Sequence, residues 1–203
     1  MTPVPPVWFR LPPGFHDIAP SDREALDTTA EALESADARS ELSRLMDGLD
    51  DLKGHDVVHT SIGLHPEDPT GVATSLFSLT VRAAAQPNPR LTVARAALGI
   101  ARSPLWTSST RRFIELPSGL PCSLVAGIIS LPGVEHRLFQ ARIATVHTDG
   151  LHLLVLDLTS ACAQHADAYT EILEAVAHTI RFSDPDPKAA TPEGTSRILE
   201  VLL

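Results

Sequence analysis

The sequence predicts an α+β fold, a largely antiparallel sheet covered by helices. Three observations lead there. Alternating apolar segments follow one another through the second half of the chain, and helical periodicities stand before, between and after the strand-like segments. Asp149-Gly150 joins two apolar runs, the strongest short-range hairpin signal a sequence offers. A doubly wound nucleotide fold would alternate strand with helix and carry a glycine-rich phosphate loop, yet neither G-x-G-x-x-G nor G-x-x-x-x-G-K-[ST] occurs.

Residues 1–20 hold six prolines, which exclude a helix and permit only an extended lead-in around 7–11. A single domain then spans 21–182. It opens on the capping pair Ser21 and Glu24, followed by Leu26, Ala30, Leu33, Leu42, Leu45, Leu49 and Leu52 at helical spacing: an acidic amphipathic helix or helix pair. Residues 55–64 alternate as a strand, with Val58, Thr60, Ile62 and Leu64 on one face and His55, Val57, His59 and Ser61 on the other. A turn at 66–71 leads into a return strand, 71–84. Asn88 as cap and Pro89 at the first helical position open a short helix through Leu91, Ala94, Leu98 and Ala101, stopped by Ser103 and Pro104.

Four more strands are expected at 111–116, 122–131, 135–148 and 151–159. A two-residue turn at Asp149-Gly150 fixes the last register. It sets Arg142 opposite Asp157, Ile143 opposite Leu156 and His147 opposite His152, an exposed ion pair, an apolar pair and a solvated histidine pair. Ala166, Tyr169, Ile172, Leu173, Val176, Ala177 and Ile180 mark the strongest helix, on which Glu174 and His178 read as a surface pair. Residues 183–194 are a proline-rich linker, and 195–203 form an apolar C-terminal segment.

Charge is unevenly spread. Residues 17–51 carry eleven carboxylates against three arginines, whereas 82–142 carry eight arginines against two glutamates. Lysine is confined to Lys53 and Lys188, a composition typical of a high-GC bacterial genome. No apolar run is long enough to span a membrane, and the N-terminal residues lack a secretory pattern, so a cytoplasmic location and no membrane insertion are expected.

The strand-strand-strand-helix order over 111–182, the hairpin ATVHTDGLHLLVLDL and the closing AVAHTIRFSDP resemble the PsbP-like superfamily, which includes PsbP and LpqN-type proteins. The resemblance implies an α-β-α sandwich and a non-enzymatic role in binding or assembly. No functional residue of that family transfers by motif, and the acidic first helix has no counterpart in the pattern.

Catalytic signatures are absent. The nearest approach to the nucleophile elbow G-x-S-x-G is His59-Thr60-Ser61-Ile62-Gly63, where a histidine replaces the first glycine. On a strand, His55 and His59 stand about 13 Å apart and cannot share an ion. His147 and His152 supply half a zinc site at most. Cys122 and Cys162 form neither a framework nor a C-x-x-C pair, and no cofactor is expected. With pI ≈ 5.4 and 4% aromatics, nucleic acid is disfavoured. The expected function is a non-catalytic protein-binding or assembly module: an adaptor, secretion-associated chaperone or structural subunit. A protein partner or self-association would engage Arg90, Arg95 and Arg102 on the basic helix, and Ile198, Leu199, Val201 and Leu202 in the C-terminal segment. The alternative is an enzyme or small-ligand binder whose cleft gathers polar groups scattered along the chain.

Overall fold

The structure, a computed structural model, describes residues 4–18, 22, 56–67, 71–131 and 137–184. The acidic segment expected to be helical, apart from Asp22, all of the linker beyond Asp184 and the apolar segment 195–203 lie outside the described residues.

Among the described residues, seven strands form one antiparallel sheet: β1 Phe15–Asp17, β2 Val57–Glu67, β3 Gly71–Ala83, β4 Trp106–Glu115, β5 Pro121–Ile129, β6 Leu138–Val146 and β7 His152–Ser160. Their spatial order is β1-β2-β3-β7-β6-β5-β4. After the β2–β3 hairpin, helix α1 (Pro89–Ala101) carries the chain to the far edge, and the meander β4 to β7 returns it to β3. Helix α2 (Ala166–His178) follows β7 through a short 3-10 turn.

Alternation along the strands sorts the core. Phe77, Leu79 and Val81 of β3, Leu154, Leu156 and Leu158 of β7, Phe139, Ala141 and Ile143 of β6, and Leu124 of β5 share one face with Tyr169, Leu173, Val176 and Ala177 of α2. The intervening residues Val125, Ala144 and Val146 are also buried. Helix α1 lies against β5 and β6 and buries Thr92, Val93 and Ala97.

The hairpin register is as expected, with Arg142 opposite Asp157 and Ile143 opposite Leu156. The loop itself is wider, because the His147 amide donates to the His152 carbonyl at 2.9 Å and residues 148–151 form the turn. Both loops share a centre, so the register survives. Gly150 sits at φ +68°, where a side chain would be strained.

β4 begins at Trp106, five residues before its apolar signal. Residues 107–113 are all exposed, so an edge strand lacks the alternation that marks a half-buried one. Gly127 of β5 lies against the irregularity at the start of β4, where a Cβ would come within 2.0 Å of the Ser108 carbonyl oxygen. The lead-in is extended, as expected, and Trp8 and Arg181 exchange backbone hydrogen bonds of 2.9 and 2.8 Å.

Candidate interaction surface

Asn88 caps α1 by accepting the Leu91 amide through Oδ1 at 3.2 Å, and Pro89 supplies the preset first-turn φ. At the far end the Trp106 indole donates to the Ile100 carbonyl at 2.7 Å, pinning the helix to the start of β4. Thr92, Val93 and Ala97 face the sheet. Their small side chains allow close approach and leave the bulkier residues outside, with Leu91 44% and Leu98 37% exposed. Of the expected apolar set, Leu91 and Leu98 face outward, while Ala94 and Ala101 are half-buried.

Arg95 and Arg102 are exposed, and Leu91, Arg95, Leu98 and Arg102 recur at intervals of four, three and four residues, one stripe down the helix. Arg90 is also exposed and lines an open hollow of about 580 Å³ with Asn88, Leu120 and Pro121. No acidic residue lies within α1.

Beside it, β4 adds Arg111 and Phe113, the latter 70% exposed. The adjacent Arg112 points to the other face and pairs with Glu174 of α2 at 2.7 Å. This removes Glu174 from the expected surface pair with His178. Glu115, at the end of β4, shares the face of Arg111 and Phe113.

The inward face of β2 is polar. Ser61 is fully buried and donates to Asp17 at 2.8 Å, while His59 Nε2 lies 2.7 Å from the Ser61 Oγ. The His59 hydrogen bond, joined by that from Ser61, holds the Asp17 carboxyl below the usual carboxylate range against the opposing effect of burial. The Asp17 carboxylate accepts the Ser61 hydroxyl, and His59 Nε2, 2.7 Å from Ser61 Oγ and 3.4 Å from Asp17 Oδ1, closes the group of three. This arrangement fastens β1 to β2. Phe9 covers His59 with ring centroids 5.0 Å apart.

Further along β2, His65 Nε2 meets Ser75 Oγ at 2.8 Å and its ring lies 5.4 Å from that of Tyr169. Burial, helped by the charge of His165, lowers the His65 pKa below its ordinary value. A Cβ at Gly63 would come within 2.5 Å of Ser75 Oγ and 2.6 Å of His65 Nε2, so a side chain there would have to displace that pair.

At the hairpin tip the histidine pair is buried, contrary to the solvated pair expected. Asp149 Oδ2 lies 2.7 Å from His152 Nδ1 and 3.1 Å from His147 Nδ1, and its Oδ1 accepts the Leu151 amide at 2.7 Å. Burial raises the Asp149 carboxyl, but the Leu151 amide and the two imidazoles outweigh it and keep the pKa low. Phe182 packs edge-on against His147, with centroids 4.6 Å apart.

The Arg142–Asp157 pair is likewise half-buried rather than exposed, because β6 and β7 are central strands. Burial pushes the Asp157 carboxyl up against the pull of Arg142 and then Arg82. Burial, with Glu174 nearby, also pushes the Cys122 thiol up to about 12, which leaves little thiolate for chemistry.

No family model matches the chain, and no curated protein matches it. Among solved structures it is similar to PA94 from Pseudomonas aeruginosa, a protein of unknown function. The TM-score is 0.41 at 18% identity, covering 64% of this chain and 85% of that one. Among the described residues, no helix is long and apolar enough to cross a membrane.

Proposed function

We propose that this chain is a non-catalytic protein-binding or assembly module, an adaptor, secretion-associated chaperone or structural subunit. Its partner is a protein that presents an acidic, leucine-bearing helix to the outer stripe of α1. The observation that carries this reading is the stripe itself, in which exposed Leu91 and Leu98 alternate with Arg95 and Arg102 on a helix without acids. Exposed leucines on a well-capped helix favour burial by another surface, and the arginines select a partner of opposite charge.

In the same reading α1 and α2 cover opposite faces of the sheet as an α-β-α sandwich, the arrangement the PsbP-like resemblance implies, and the protein acts in the cytoplasm. The separation of Val93 and Ala97 of α1 from the cluster formed by α2 supports that arrangement.

The test is a native pull-down with the full chain and with its R95E/R102E variant. The wild type is expected to recover one stoichiometric protein that is released as salt rises, and the variant to lose it. Equal recovery by both, or a complex indifferent to salt, would overturn the reading.

A further inference from the structure

We propose that the outer edge of β4 pairs with β4 of a second copy of this chain, antiparallel and centred on Phe113, so that Arg111 of each copy faces Glu115 of the other. The proposal concerns the sheet edge, not the stripe of α1, and its test requires no other protein.

β4 is a ten-residue edge strand with residues 107–113 all exposed, and among the described residues nothing pairs with its outer side. The other edge of the sheet ends in the three-residue β1. A long exposed edge is a template for one more strand. The irregularity that would blunt it is confined to Trp106 and Ser108. From Ser108 to Glu115 the pairing with β5 runs without a break, so this stretch offers a regular ladder of backbone donors and acceptors.

The side chains of that stretch point to the occupant. Arg111, Phe113 and Glu115 share one face and are all exposed, Phe113 by 70%. Residues four apart on a strand stand about 13 Å from one another, so Arg111 and Glu115 cannot pair within one β4. Neither has an ion-pair partner among the described residues. The order cation, aromatic, carboxylate is complementary to its own reversal, as a two-fold interface between identical surfaces requires. Centred on Phe113, each Arg111 meets a Glu115 and the two aromatic rings meet each other. Arg112, already answered by Glu174 at 2.7 Å, then stands opposite Ile114.

Symmetry selects the register. Two antiparallel copies are related by a two-fold axis perpendicular to the sheet, which keeps every residue on its own face. Facing residues must therefore come from the same face of β4, and one residue must face itself across the axis. A centre at Arg111 or Arg112 opposes like charges directly, and a centre at Ile114 sets Glu115 against Phe113. Centres at 108, 109 and 110 leave Arg111 opposite Leu105, Thr107 and Ser109. Among symmetric registers, only the one centred on Phe113 places an arginine opposite a carboxylate.

Two measurements on the full chain test this. Sedimentation equilibrium is expected to show a reversible dimer at about 0.1 mM, the weak range suited to a small interface. R111E and E115R are each expected to weaken it about tenfold or more, and R111E/E115R to restore it, because the pair is re-formed with its signs exchanged. A chain that stays monomeric at about 1 mM, a dimer indifferent to either single change, or a double variant no better than the singles would overturn the proposal. In a Cys162→Ser background, F113C is expected to form a disulfide-linked dimer under mild oxidation. T110C is not, since the two Thr110 positions would lie about 20 Å apart. Cross-linking of T110C as readily as F113C, or of neither, overturns the register.

Discussion

Helices α1 and α2 make opposite use of their bulk. Helix α2 turns Tyr169, Leu173, Val176 and Ala177 onto the sheet and leaves Asp167, Glu171 and His178 outside. Helix α1 turns small residues inward and displays Leu91 and Leu98 between arginines. Both are thirteen residues long. The lesson is that an apolar period identifies a helix but not which of two stripes is buried; side-chain volume against the sheet decides that. The contrast extends to the strands beneath. The face under α2 is apolar across the central strands, while the other carries the Arg142–Asp157 pair.

Leu173→Ala should show the largest effect. Leu173 is fully buried, and its truncation is expected to cost about 2–5 kcal/mol of unfolding free energy by urea denaturation. A loss below about 1 kcal/mol would break the contrast between the helices.

Arg142→Met comes next. It leaves the Asp157 carboxylate without its close partner inside the sheet. A fully buried pair broken this way costs about 3–5 kcal/mol. Arg142 retains 34% side-chain exposure, so about 2 kcal/mol is expected, with the double change R142M/D157N recovering most of it. Equal loss in the single and double variants would show that packing rather than charge is at stake.

A pH titration of stability sharpens the account of the residues beneath α2. Because His65 is depressed in the fold, the unfolded chain binds the extra proton first as pH falls below about 6.5, and stability declines through that range. Asp17 and Asp149, also depressed, add a second loss below about pH 4, and the raised Asp157 acts with the opposite sign there. Replacing His65 with Gln should flatten the upper limb alone, read as the unfolding midpoint at pH 7 and pH 5.

Much of the fold was legible in the chain. The β6–β7 register followed from two adjacent residues, Asp149 and Gly150, because a turn is a local event. Proline and asparagine likewise marked the start of α1. What stayed hidden depended on distant residues. The buried polar face of β2 is explained by Asp17 reaching Ser61 across 44 positions and by Phe9 covering His59, neither of which leaves a periodic trace. The early part of β4 was hidden because an exposed edge needs no apolar alternation. Of the candidate surface, Arg90, Arg95 and Arg102 were visible as charge, whereas the outward set of Leu91 and Leu98 and the exposure of Phe113 required the packing of α1 and β4.

The smallest expected change in stability belongs to the displayed stripe. L98S, at a 37% exposed position, should move the unfolding midpoint by no more than the equivalent of about 0.5 kcal/mol. The most direct measurement pairs that stability with affinity for the recovered partner, in the wild type and in R95E/L98S/R102E. The account predicts at least a tenfold loss of affinity with an unfolding midpoint close to that of the wild type. Affinity left intact would contradict it, as would affinity and stability falling together, since α1 would then be a structural helix and not a docking surface.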